Sequence, residues 1–144
     1  VPMFGEVSID DGAISLMDGG IHGIQGHTIT VRASGAASWE RRLDGMQPQG
    51  KAGSGTLALA ADERARVRGW ADAVWALAPR GSARFNAPIE RGPPRWVWAI
   101  VARRGDEVRV VSGGGRVPPE HAPDAAQPAL TWLIERTDAA SAAP

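Results

Sequence analysis

Apolar and polar positions alternate with period two over residues 28–32, where Ile29 and Val31 fall on one side and Thr28, Thr30 and Arg32 on the other. That pattern predicts a half-buried strand. A second strand is expected over about residues 13–17, where Ile14 and Leu16 flank Ser15; it runs into Gly19-Gly20, and Gly23 and Gly26 mark the turn region. Val7 and Ile9, ahead of Asp10-Asp11-Gly12, either pair with this strand through a tight turn or extend it past a bulge. Residues 38–43 read as a third strand dominated by polar side chains, and therefore as an edge strand. Residues 44–55 show no periodicity and carry four glycines, which predicts a mobile loop.

The period changes at residues 59–78. Val67, Trp70, Ala71, Val74, Leu77 and Ala78 fall on one face of a helix, Asp62 and Glu63 occupy its first turn, and Pro79 ends it. Gly69 costs this helix about 1 kcal/mol relative to Ala, and a small residue beside Trp70 would let another element approach closely. Residues 79–94 are irregular, with Phe85 and Ile89 pinning them to the core. Residues 96–102 are apolar on both faces, the mark of a central strand with something packed on each side. Arg103-Arg104-Gly105-Asp106 is a hairpin turn and residues 107–111 the return strand, broken by Gly113-Gly114-Gly115. A proline-containing loop leads to a last helix starting near Gln127, with Pro128 in its first turn and Leu130, Leu133, Ile134 and Thr137 on its packing face. Residues 139–144 should fray.

The order β-β-β-α-β-β-α predicts an α+β fold: a single antiparallel sheet of about four or five strands, packed by one long helix and a shorter C-terminal helix. Residues 1–138 would form one domain and 139–144 a tail. A chain of 144 residues with 43% hydrophobic residues can bury a proper core. The six Trp would supply much of it.

Charge narrows the partners. Formal net charge is zero, so neither DNA, RNA nor an anionic membrane is favoured electrostatically. No apolar run reaches the ~18 residues of a membrane span. Without Cys, thiol catalysis, thiolate zinc sites and disulfides are excluded. One Lys among abundant Ala, Arg, Gly and Pro points to a GC-rich bacterial genome. The chain opens on Val1 and shows no signal peptide; the expected compartment is cytoplasmic or periplasmic.

Each candidate motif has a plainer structural counterpart. His22 and His27, five apart and near Asp18, lack the helical spacing of a zincin, show no third ligand beyond Asp18 or the distant His121, and are expected to be exposed loop histidines. Asp10-Asp11-Gly12 lacks calcium-loop spacing and reads as a turn. Gly53-Ser54-Gly55 and Ser112-Gly113-Gly114-Gly115 fit neither a nucleophile elbow nor a phosphate loop, and read as turns. Arg95, Arg103, Arg104, Arg109 and Arg116 surround Trp96 and Trp98. That mixture can bind single strands by stacking, but neutrality and burial of the Trp favour a solvated outer face. Trp39 and Trp75 lie off the main stripes, either in an exposed interface patch or at the rim of the core. No metal, cofactor or catalytic residue is expected.

The order of elements resembles emfourin and its relatives, small bacterial inhibitors of thermolysin-type (protealysin-like) metalloproteases. The similar features are Ile14-Ser15-Leu16-Met17-Asp18-Gly19-Gly20-Ile21-His22-Gly23, a strand entering Gly-Gly-x-x-Gly, then the outgoing strand 28–31 and the helix entry Leu59-Ala60-Ala61-Asp62-Glu63. The paired strands 96–102 and 107–111 and a closing helix with Leu130 and Leu133 complete the match, over residues 13–136. Residues 36–55 look like an insertion, and Pro93-Pro94-Arg95 departs from the relatives' pattern. The resemblance implies a non-enzymatic protein that binds a metalloprotease through loops at one end of the sheet, with Asp18, Gly19, Gly20, Ile21, His22 and Gly23 as the partner-binding tip. Two alternatives stand beside it: a periplasmic or surface-anchored structural domain, and an enzyme of unrecognised type.

Overall fold

A computed structural model describes residues 14–20, 25–32, 34–43, 53–86, 96–115 and 122–142. The strands are β1 (Ile14–Gly20), β2 (Gln25–Val31), β3 (Ala37–Leu43), β4 (Gly53–Leu57), β5 (Ser82–Asn86), β6 (Trp96–Arg104) and β7 (Glu107–Gly115); the helices are α1 (Ala61–Leu77) and α2 (Gln127–Ala142). The α+β class is as expected. The sheet is larger than expected: seven strands in the order β4-β3-β2-β1-β6-β7-β5. It is also mixed, because β5 runs parallel to β7. The element order gains β4 and β5 relative to the sequence reading.

Both added strands have a physical reason for escaping notice. The alternation of β4 is hidden because two of its core-side positions are bare. A Cβ at Gly55 would stand 2.9 Å from the indole nitrogen of Trp39, and one at Gly53 3.1 Å from the same ring. Trp39 therefore lies over a glycine strand, and β3, expected at the edge, is covered by β4. In β5 the alternation is short, with Ala83 and Phe85 turned to the core. Gly81, at φ 99°, turns the chain out of α1, and its carbonyl accepts from Val110 N–H at 2.9 Å.

The glycine run at the end of β7 does not break the strand. Trp98 pairs with Gly113, which pairs in turn with Phe85. A Cβ at Gly113 would collide with the Phe85 carbonyl oxygen and stand 2.9 Å from the Trp98 ring. Only a glycine lets β5 close on β7 over that indole. Gly53-Ser54-Gly55 and Ser112–Gly115, expected as turns, are both strand segments.

The register aligns one apolar row across the sheet: Trp39, Ile29, Leu16, Ile100, Val111 and Ala83. Ile29, Ile100 and Val111 share one core with Val67 and Val74 of α1 and Leu130 and Leu133 of α2. The helices thus share a face, α1 over β6 and β7, α2 over β1 to β4. They meet at Trp70 and Trp132, ring centroids 5.3 Å apart. β6 lies between β1 and β7, as its apolar run predicts, but among the described residues only one of its faces is covered, by the helices, and not both as expected. On the face away from the helices Val97, Val101 and Val110 are half-buried and Val108 is 43% exposed.

Smaller differences follow from packing. Trp39 and Trp75 are half-buried at the rim of the core. A Cβ at Gly69 would meet nothing within 4 Å, so among the described residues no element approaches there. α2 continues to Ala142 with Ser141 buried, so residues 139–142 are helical rather than frayed. Expectations for Val7, Ile9, Asp10-Asp11-Gly12 and Ile89 lie outside the described residues.

Two glycine substitutions should act oppositely in urea unfolding. Gly113→Ala should cost about 2–4 kcal/mol, because backbone must shift. Gly69→Ala should gain about 0.5–1 kcal/mol from helix propensity alone. An unchanged midpoint for Gly113→Ala would overturn the close-approach account.

Candidate functional site

Gly20, Gln25, Leu43, Gly53, Asn86, Trp96 and Gly115 lie at one end of the sheet. Of the six residues expected to form the partner-binding tip, Asp18, Gly19 and Gly20 belong to β1 and are ladder positions, not turn residues. Ile21, His22 and Gly23 lie outside the described residues. Asp18 pairs with His27 on one side and Trp98 on the other, and Gly20 with Trp96. The strand feeding the tip is therefore held on both edges to Gly19 and on the β6 side to Gly20.

His27 corrects the expectation of an exposed loop histidine. It sits inside β2, 8% exposed, with Nε2 3.3 Å from Asp138 Oδ1. Arg41 Nε lies 3.1 Å from the same oxygen, held by charge rather than by a well-directed hydrogen bond. Arg41 also donates to Ser141 Oγ at 3.5 Å. The two basic side chains come from adjacent strands and meet the last turns of α2, where positive charge is favoured. This cluster docks the end of α2 on the sheet. Among the described residues, no group of three or more His, Asp or Glu could hold a metal ion.

Glu63 does the same work at the other end of α2's packing seam. Ala60 has no side chain able to cap α1, so Glu63 Oε1 reaches back to accept from the Ala60 N–H at 3.2 Å. Glu63 Oε2 accepts from Trp132 Nε1 at 2.9 Å and from Arg136 Nε at 3.2 Å. Arg136 continues to the Ala58 carbonyl at 3.2 Å. Burial alone would raise the Glu63 pKa. The hydrogen bonds from Trp132 and Ala60 and the charge of Arg136 outweigh it and hold the carboxyl below its ordinary value.

The concave site lies at the opposite end of the sheet from the tip. It is a cleft of about 290 Å³ between α1, the β2–β3 turn and the β6–β7 hairpin. Local sequence builds each wall. Gly35, at φ 91°, closes the β2–β3 turn, with Arg32 N–H bonded to the Ala36 carbonyl at 2.8 Å. Gly105, at φ 60° and first in a two-residue loop, gives the hairpin turn that carries Arg103 and Arg104. Arg64 and Arg68 lie one turn apart on α1. Arg32, Arg64, Arg68, Arg103 and Arg104 contribute to its lining; among the described residues its one carboxylate is Asp72, bound to Arg104. Its floor is apolar: Val31, Val67, Ala71, Ala102 and the Trp75 ring.

Trp75 is the anchor of this wall. The Arg109 guanidinium lies 3.9 Å and that of Arg104 4.9 Å from the Trp75 ring centroid. Arg109 also donates to the Trp75 carbonyl at 2.8 Å. Arg104 and Arg109 were expected on a solvated outer face; they lie on the helix side, against α1. Arg95, Arg116 and His121 lie outside the described residues.

Sequence reading had no means of assembling the cleft. Its arginines come from three separate segments, and no spacing rule joins them. The only local signals were the i, i+4 pair Arg64 and Arg68 and the adjacent Arg103 and Arg104.

Compared with known families and characterised proteins, the chain matches no family model and no curated protein sequence.

The Glu63 network makes stability pH-dependent with a definite sign. Because its folded pKa is below the unfolded one, its contribution is complete above the ordinary glutamate value and fades as pH falls through the folded value. Glu63→Gln should cost about 1–3 kcal/mol at neutral pH. The gap from wild type should narrow in acid; a gap unchanged between about pH 7 and 3 would overturn the assignment.

Proposed function

We propose that this chain is a non-enzymatic binding protein that inhibits a thermolysin-type metalloprotease, with Asp18, Gly19, Gly20, Ile21, His22 and Gly23 as its contact. The observation that carries the reading is the double pairing of β1. Its ladder to β2 persists to Gly19 and its ladder to β6 to Gly20. A segment leaving such a strand starts one residue beyond a position fixed on both sides, so less freedom is lost when a partner binds. Inhibitors of proteases use this kind of preorganisation, in interfaces of about 800 Å² per partner. The similarity in element order to emfourin supplies the partner class. Support also comes from the two extra strands: β4 lies at one edge and β5 at the other, so the additions leave the β2-β1-β6-β7 centre intact.

Within this reading Ile21 is the apolar anchor and His22 a polar contact. Gly19 and Gly20 themselves add no side chain beside them. Of the described helices, none is long and apolar enough to cross a membrane.

The direct test is peptide hydrolysis by a thermolysin-type protease with the chain in excess. Inhibition is expected to rise with chain concentration, and Ile21→Asp combined with His22→Ala should weaken it by about 30-fold. Hydrolysis unaffected at any ratio would reject the metalloprotease. Full inhibition by the double variant, folded as judged by its far-ultraviolet spectrum, would move the contact away from this tip.

A further inference from the structure

We propose that β4 is a self-association edge: two copies of the chain pair antiparallel through Gly53–Leu57, centred on Gly55, and make one continuous sheet across a two-fold axis. The surface is separate from the tip, since β3 and β2 lie between β4 and β1.

Three observations commit this edge to a second copy. First, the edge is open. β4 ends the strand order of the sheet, and Ser54, Gly55 and Thr56 are exposed. An edge strand directs every second N–H and C=O away from its own sheet, toward any strand able to pair. Charged side chains, Pro and bulges are the usual protections against such pairing. Gly-Ser-Gly-Thr-Leu holds no charge and no Pro, and its register with β3 runs without a bulge.

Second, the strand is complementary to itself. About an axis at Gly55, Ser54 stands opposite the second copy's Thr56, and Gly53 opposite the second copy's Leu57. The first pair sets hydroxyl against hydroxyl on the face away from the helices; the second sets a bare position against a leucine on the helix side. The other edge, β5, fails this comparison. Its middle residue is Arg84, which is exposed, so self-pairing there would set two guanidinium groups face to face.

Third, the helix side of the β4 edge is apolar and incompletely covered. Trp39 and Leu57 are half-buried at the rim of the core. Gly53 and Gly55 let the Trp39 ring lie over β4, with Cη2 nearest Gly53 and Nε1 nearest Gly55. The indole thus reaches the last strand of the sheet. Pairing at β4 brings the second copy's Leu57 beside that ring and the second copy's indole toward it across the axis. Backbone hydrogen bonds then fix the register, while two indoles and two leucines supply the apolar burial. A contact built on one short strand per copy falls at the weak, transient end of protein interfaces.

The experiment is sedimentation equilibrium of the full chain, with backbone amide NMR over the same concentrations to locate the contact. The weight-average mass should rise toward that of two chains with a dissociation constant below about 1 mM. The amides of Ser54, Gly55 and Thr56 should shift with concentration, and those of Ala83 and Arg84 should not. Ser54→Lys with Thr56→Lys opposes like charges twice and should weaken association by at least about tenfold. Ser54→Asp with Thr56→Asp should do the same. Mixed in equal amounts, these two double variants, each folded as judged by its far-ultraviolet spectrum, should associate with each other. Arg84→Gln should leave association unchanged. A mass that stays at one chain over the whole range, concentration-dependent shifts confined to residues away from β4, unweakened association of either folded double variant, or no association in their mixture would each overturn the proposal.

Discussion

The ladder between β1 and β6 joins two half-sheets. On one side stand β2, β3 and β4, linked by short antiparallel pairings; on the other stand β7 and β5. Seven consecutive registered pairs, Ile14 with Ala102 through Gly20 with Trp96, make them one surface. The long sequence separation of these strands makes the ladder entropically expensive to close. What compensates is the apolar row through Ile29, Leu16, Ile100 and Val111, whose buried members meet both helices. Without that register neither helix has a continuous floor.

Over this floor the helices are placed by two carboxylates rather than by apolar contact alone. Glu63 gathers the start of α1, Trp132 and Arg136 into one network. Asp138 gathers His27 and Arg41 beneath the end of α2. Apolar burial is non-directional and tolerates sliding; close contacts between charged groups in half-buried positions do not. Leu130 and Leu133 supply the affinity of α2 for the sheet, and the two carboxylates fix where along the sheet it rests.

The same arrangement divides the molecule functionally. One end of the sheet carries the strand ends around Gly20, where β1 is braced on both edges up to Gly19. The other carries the short turns at Gly35 and Gly105, which bring arginines from separate segments up to α1. The glycines that matter serve both purposes: Gly35 and Gly105 for turn conformation, Gly55 and Gly113 for bare space beside an indole.

How much was legible in the chain depended on whether a signal was local. The stripe through Val67 and Val74, the alternation at Ile29 and Val31, the hairpin at Gly105 and the packing face of Leu130 and Leu133 are set by neighbours a few residues apart, and each was readable. β4 was not, because its core-side glycines answer to Trp39, a residue on another strand. The glycine run of β7 was misread for the same reason, since Gly113 answers to Phe85 and Trp98. His27 looked like a loop residue until β2 extended past it and α2 delivered Asp138. By itself, then, the sequence determined the α+β class, both helices and the strands with their own periodicity. Tertiary structure alone decided that the described residues form seven strands, that His27 and Arg41 are largely buried against Asp138, and that arginines from separate segments meet at one cleft. Those features rest on proximity between distant segments, which burial and register impose and composition does not record.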